Sequence, residues 1–370
     1  MAEAAESSPH SFVPPPRVGP RDSGDGWVED GTGRKFWGRF GAAGLLAFDG
    51  SRASTSGAGG SILLQHRANW SHFGGTWGLP GGAKHAGETA VDGAIREANE
   101  EAGVPTDALQ LKFTSTLDLG FWSYTTVVVD VTEPFDAAVA DAESIEIRWV
   151  PIDEVAALPL HPGFEAAWGE LRAELTRPIV LVVDSANVVG SRPNGWWKDR
   201  LGATSTFAGL LQRRGRLGFS GESLGIGLAR TQWWPQTVLV VEGQARGAAV
   251  GAGTVEAAGV QAPAVGGATV GETAGGATSG DAAGDRAASD AAASANSAHT
   301  AGGALRIVAA EHDGDQQIVD IVQGYAESRD SLAPRVFVVT ADRELTSRVE
   351  ALGASVRRPG WLWALLDELD

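Results

Sequence analysis

Residues 244–303 contain no Leu, Ile, Phe, Tyr, Trp or Met and are dominated by Ala and Gly. The valines fall at Val250, Val255, Val260, Val265 and Val270, and a spacing of five matches neither a helical stripe nor a strand face. A segment of this kind cannot bury enough apolar surface to offset the entropy of ordering it. The sequence therefore predicts an unstructured surface insertion there. On either side, Thr237–Val241 and Leu305–Ala309 read as short buried strands, so the insertion interrupts one folded unit rather than separating two.

Outside the insertion the chain is ordinary globular material. Of 370 residues, 43% are hydrophobic and 20% charged, enough for two domains with real cores. Cys is 0, which excludes disulfides, thiolate metal sites and cysteine nucleophiles and suits a reducing compartment. No run of about 18 apolar residues is present. The start, Met1 to Asp22, is polar and proline-rich without a signal-peptide core. The expectation is a soluble, cytoplasmic protein with no membrane partner, and the sequence leaves its oligomeric state open. Net charge is −17, concentrated in the N-terminal half. That acidic body repels polyanions unless metal ions intervene.

The N-terminal half carries the sharpest pattern. From Thr89 the sequence reads as a helix, with Thr89 and Asp92 as a capping box, Ala90, Ala94, Ile95 and Ala98 as the apolar stripe, and Gly103 as the C-terminal stop. Glu97, Glu100 and Glu101 stand at i, i+3 and i+4 on one face. Three carboxylates on one arc repel one another, and a hard divalent cation such as Mg²⁺, held with substrate phosphates, is what makes such an arc favourable. A solvated acidic helix face is the ordinary alternative.

The surrounding residues decide between them. Gly82, Glu88, Arg96, Glu97, Ala98, Glu100, Glu101, Gly103 and Val104 fill every fixed position of a pattern that resembles the Nudix hydrolase box. The resemblance covers about Lys35–Leu175. It takes in Trp77–Gly82 as the strand and loop before the box, and Glu143–Pro151 with Ile152–Val155 as the late strand and closing helix. It implies an α/β/α sandwich with a mixed sheet that hydrolyses a nucleoside diphosphate linked to another group. By the same resemblance Glu97, Glu100 and Glu101 are Mg²⁺ ligands, with Mn²⁺ as the alternative ion. Glu100 or Glu101 activates water, Arg96 and Glu88 orient the ligand shell, and Gly82 permits the tight loop. Glu143 or Glu146 is a candidate further acid. Relatives acting on ADP-ribose often carry a proline some fifteen residues past the box, and those acting on diadenosine polyphosphates a tyrosine. This chain has no proline between Pro105 and Pro134, and places Phe121 and Trp122 there with Tyr124 just beyond. A nucleoside triphosphate, including an oxidised dNTP, is thereby favoured. The aromatics either stack on a base or belong to the core.

Residues 178–370 alternate strands and helices, which predicts a parallel sheet. An acid follows each strand: Asp184, Glu242, the group Glu311, Asp313 and Asp315, and Asp342. Ligands of open α/β sheets bind at that carboxyl edge, where gathered acids form a metal site, although Asp315 and Asp342 also suit helix N-caps. Val183–Asn187, Trp196–Asp199 and Val339–Glu344 with Ala351–Gly353 resemble the NYN branch of PIN-type nucleases. That resemblance implies Mg²⁺-dependent RNA cleavage through Asp184, Asp199, Asp315 and Asp342, with Asn187 as a polar partner and Asp313 competing with Asp315. A phosphatase of the haloacid-dehalogenase type wants Asp where Ala186 stands. Arg192, Lys198, Arg200, Arg213, Arg214 and Arg216, with Trp196 and Trp197, are either a single-stranded RNA contact or a plain basic surface.

The expected organisation is an unstructured tail (1–34), a Nudix domain (35–176) and a PIN-like domain (177–370) interrupted by 244–303. The activity this predicts is pyrophosphohydrolysis beside an RNA-cleaving or RNA-binding domain. The alternative is a nucleotide sensor without turnover that controls an RNase.

Overall fold

The computed structural model describes residues 23–52, 59–228, 230–248, 255–257, 303–327 and 334–369. In chain order the first half forms β1 (Trp27–Glu29), β2 (Lys35–Trp37), β3 (Ala42–Asp49), β4 (Ser61–Arg67), β5 (Trp77–Gly78), β6 (Gly81–Ala83), α1 (Ala90–Ala102), β7 (Leu109–Asp118), β8 (Ser123–Val131), β9 (Ser144–Pro151) and α2 (Pro162–Leu175). The expected mixed sheet is present. β3 runs parallel to β8 and antiparallel to β4 and β6, while β7 and β9 pair antiparallel with β8 and β4.

β3 is buried along all eight residues because both faces are covered. Ala43, Leu45 and Ala47 point to Ala94, Ile95, Ala98 and Ala102 of α1. Leu46 and Phe48 point the other way, towards Phe164, Trp168 and Leu171 of α2. The strand's period of two thus serves two helical stripes of period 3.6, which yields the sandwich.

The second half adds β10 (Ile179–Asp184), α3 (Ser185–Gly190), α4 (Arg200–Leu217), β11 (Phe219–Ser220), α5 (Gly221–Leu224), β12 (Thr231–Trp233), β13 (Gln236–Val241), β14 (Val255–Ala257), β15 (Leu305–Ala309), α6 (Gly314–Glu327), β16 (Arg335–Val339), α7 (Arg343–Ala351), β17 (Ser355–Arg357) and α8 (Pro359–Asp367). Six of these strands form an all-parallel sheet in the order β14-β15-β13-β10-β16-β17. α6 and α7 cover one face through Ile318, Val322, Leu345 and Val349. α3, α4 and α8 cover the other through Val188, Phe207, Leu211 and Leu362. The strand order reverses between β10 and β16, which is where such sheets open a crevice at their carboxyl ends.

Three departures from expectation follow. β11 and β12 do not join the parallel sheet. β12 instead pairs antiparallel with β7, and β11 with β12, so the second half of the chain extends the first half's sheet. The pairing is driven by Trp233, which is 1% exposed and stacks on Phe113 at 4.4 Å. One core runs continuously from α2 through these rings to α3, α4 and α8. Next, residues 23–34, assigned to the tail, include β1, which pairs with β2 around a turn in which Asp30 Oδ1 accepts from the Thr32 and Arg34 backbone. Residues 1–22 lie outside the described residues. Last, within the expected insertion Val255–Ala257 pairs parallel with Ile307–Ala309, because β15 otherwise leaves that side open to a partner. Residues 249–254 and 258–302 lie outside the described residues, so the expectation of disorder there concerns nothing described here.

Candidate active site

Local sequence sets α1. Thr89 accepts from the Asp92 backbone and donates its hydroxyl to the Asp92 carboxylate at 2.7 Å, and Gly103 closes the helix at φ 63°. Arg96 then organises the acidic face. Its Nε and Nη2 donate to the two Glu88 oxygens at 2.8 and 3.0 Å. Its Nη1 donates to Glu97 at 2.9 Å and Glu100 at 3.2 Å, and Nη2 also reaches the Ala83 carbonyl at 3.1 Å. Glu88 is fixed from its other side by the His85 N–H. Burial raises the Glu88 pKa, but the Arg96 bonds and the His85 N–H outweigh it and hold the group below its usual range.

The three glutamates differ in setting. Glu100 is exposed, Glu97 half-buried and Glu101 buried. Glu101 Oε2 accepts from the Gly81 N–H at 2.8 Å. Burial, and then the neighbouring Glu97 charge, push Glu101 up to about 8. Burial likewise raises Glu97 against the pull of Arg96. Gly82 has a specific reason to be glycine: a Cβ there would lie 2.7 Å from the Glu97 carboxylate.

A loop brings further acids to Glu101, in a group that does not include Glu97 or Glu100. The Ala140 N–H bonds the Glu101 carbonyl, which folds residues 138–144 over the end of α1. Oxygens of Glu101, Asp141 and Glu143 then lie within 4.8 Å of one another. Of the two late acids expected from the sequence, Glu143 joins this set, whereas Glu146 faces Arg148 on β9 at 3.7 Å. Asp141 was not foreseen, and its signal was only an acid two residues before Glu143. An all-oxygen donor set of three carboxylates fits a hard divalent cation such as Mg²⁺.

Of the aromatics, Phe121 is exposed and meets Phe36 edge-on at 5.5 Å, Trp122 donates to the Trp37 carbonyl, and Tyr124 is half-buried beside Gly44. Arg67, also unforeseen, lies near enough to Glu101 to lower its pKa.

At the carboxyl edge of the parallel sheet, Asp184 is buried and accepts from the Asn187 N–H at 3.0 Å and the Thr340 hydroxyl at 2.8 Å. Burial raises its pKa. Asp315 is pushed up to about 6 by burial and then by the charges of Asp184, Asp342, Asp313 and Glu242, so those acids do gather. Asp199 caps α4 through the Gly202 N–H at 2.8 Å. Asp342 caps α7. The cap near α6 is Asp313 rather than Asp315, since Asp313 accepts from the Asp315 N–H. Among the described residues no three of these acids join a group like that of Glu101, Asp141 and Glu143, whose oxygens lie within 4.8 Å of one another. Much of the basic set is occupied structurally: Arg192 pairs with Asp367, Arg213 bonds the Leu369 carbonyl and Arg214 meets Glu368.

Comparison with known proteins bears on the first half of the chain. The NUDIX domain matches residues 42–168. A Mycobacterium tuberculosis (strain CDC 1551 / Oshkosh) protein named "Putative 8-oxo-dGTP diphosphatase 3" is 49% identical over 166 residues, which are 43% of this chain and 74% of that protein. A Bifidobacterium longum (strain NCC 2705) "Nucleoside triphosphate pyrophosphatase/Nudix hydrolase fusion protein" is 39% identical over 176 residues, 46% of this chain and 36% of that one. Among solved structures, a Nudix hydrolase from M. smegmatis, RenU, is 48% identical and aligns with 40% of this chain and 94% of its own, at a TM-score of 0.37. The chain belongs to the Nudix hydrolases, enzymes that act on phosphorus-containing anhydrides. No helix among the described residues is long and apolar enough to cross a membrane.

Proposed function

We propose that residues 35–176 form a Mg²⁺-dependent diphosphatase, able to use Mn²⁺, that converts a nucleoside triphosphate, with oxidised dNTPs such as 8-oxo-dGTP favoured, into the monophosphate and pyrophosphate. The observation that carries this reading is the acidic face of α1, with Glu97, Glu100 and Glu101 held by Arg96 and the Gly81–Gly82 turn. The name borne by the M. tuberculosis relative supports the substrate. A bound divalent cation would neutralise phosphate oxygens and lower the barrier to water attack. Glu97, Glu100 and Glu101 would hold it, with Glu143 and Asp141 closing the set from the loop. Arg96 and Glu88 keep those carboxylates aimed. Glu100, the exposed member, takes the proton from the attacking water as it adds to phosphorus, and the pyrophosphate departs with the anhydride oxygen. The cytoplasm suits such a substrate.

For residues 177–370 we propose a PIN-like unit that cleaves or binds single-stranded RNA. The gathering of Asp184, Asp315 and Asp342 at the reversal of strand order supports it.

Metal-stripped protein assayed with and without Mg²⁺ on 8-oxo-dGTP, dGTP and ADP-ribose tests the first reading. Turnover restored by Mg²⁺ and lowered at least about 100-fold by Glu100→Gln is expected. Equal inertness of wild type and variant across the panel would overturn it in favour of a sensor. RNA cleavage that persists in Asp184→Asn/Asp342→Asn would remove the second assignment.

A further inference from the structure

The amino ends of the parallel strands carry the opposite chemistry to their acidic carboxyl ends. A cavity of about 380 Å³ opens there, lined by Arg177, Arg335, Arg357, the backbone of Gly225–Gly227 and the start of β16. Arg335 is satisfied by a two-pronged bond to Glu174 of α2, at 2.5 and 2.9 Å. Arg357 donates to the Leu224 carbonyl at 2.7 Å and lies over the Phe337 ring. Arg177 differs: its Nε is buried and has no hydrogen-bond acceptor. Among the described residues no acid lines the cavity, and the Glu174 carboxylate is already engaged by Arg335. Three guanidinium groups and no described acid therefore line the site, in a chain whose net charge is −17.

An unpaired buried donor on a charged group is costly, and that cost disappears when an anion accepts from it. A guanidinium fork matches the paired oxygens of a phosphoryl group. Excess positive charge and little apolar lining favour a small, multiply charged anion over an apolar molecule. We propose that this cavity is a phosphoryl-anion binding site, distinct from the glutamate cleft of α1. Its place gives the occupant leverage. Glu174 belongs to the helix of the first sheet, and the Gly225–Gly227 loop leads into β12, which extends that sheet. A bound anion ties the two sheets together at their junction.

The test uses the full chain in EDTA at constant ionic strength, titrated calorimetrically with inorganic phosphate, pyrophosphate and a nucleoside monophosphate, with thermal unfolding alongside. Saturable pyrophosphate binding accompanied by a rise in Tm is expected, weakened at least about tenfold by Arg177→Gln and by Arg357→Gln, and unchanged by Glu97→Gln. Arg177 Nε makes no bond that folding depends on and is costly when unpaired, so the Tm of ligand-free Arg177→Gln should not fall below that of wild type. A nucleoside monophosphate binding more tightly than phosphate assigns the site to nucleotides, whereas equal or weaker binding assigns it to the free anion. Absence of saturation by about 10 mM, binding unaltered in Arg177→Gln, or loss of binding in Glu97→Gln would overturn the proposal.

Discussion

Trp233→Ala tests whether the two halves of the chain share one core. Trp233 is 1% exposed, stacks on Phe113 at 4.4 Å with the planes 22° apart, and donates its Nε1 proton to the Thr231 hydroxyl at 2.9 Å. Truncating a fully buried tryptophan costs about 3–5 kcal/mol, of which roughly 0.5–1.5 kcal/mol belongs to the aromatic pair itself. Thr231 loses an incoming bond but keeps its own to the Leu228 carbonyl, so little is added. At roughly 2–4 °C per kcal/mol for a unit of this size, Tm falls by about 6–20 °C. Unfolding is followed by near-UV dichroism and by residual nucleotide hydrolysis, which reports the first sheet alone. Both curves should move together. A double cycle with Phe113→Ala should return a coupling of about 1 kcal/mol. If hydrolysis kept its wild-type midpoint while the dichroism transition fell, the β7–β12 pairing would not hold the halves together and the reasoning would be refuted.

Three further outcomes are expected. Arg96→Ala removes the donor shared by Glu88, Glu97, Glu100 and the Ala83 carbonyl; kcat should fall at least about 100-fold, and Arg96→Lys should recover little of it because an ammonium cannot reproduce the fork. His161 caps α2 through Nδ1, and burial, then the Arg67 charge, push its pKa down to about 4. Its folded value lies below its unfolded one, so the stabilisation is full above about pH 6.5 and is lost as pH falls towards 4. His161→Asn, which keeps an acceptor but does not titrate, should flatten that stretch of the denaturation-midpoint profile against pH. EDTA should abolish hydrolysis without changing the far-UV dichroism spectrum, and added Mg²⁺ should restore it.

The features readable from the sequence were those set locally. α1 announced itself through Thr89, Gly103 and an apolar stripe, all within one helix, and the glutamate face followed from helical spacing alone. The parallel strands were readable because strands covered on both faces become continuous apolar runs, as in Ile179–Val183. What escaped depended on contacts between distant residues. Thr231–Trp233 is three residues long, and its place beside β7 is chosen by a ring far earlier in the chain. Asp141 reaches Glu101 through the fold of a loop, and no periodicity marks such an approach. Arg192, Arg213 and Arg214 read from the sequence as an RNA contact or a plain basic surface, yet the end of α8 and the two residues after it occupy them.

The pairing of β7 with β12 also bears on synthesis at the ribosome. Phe113 and Trp233 are 120 positions apart, so the strand that seals the first sheet is translated long after the edge it covers. At ~5–20 residues per second, β7 waits roughly 6–24 s with its backbone groups and an aromatic ring uncovered. That interval is when a nascent chain is open to wrong partners, and a chaperone that shields Leu109–Asp118 would act there and nowhere later.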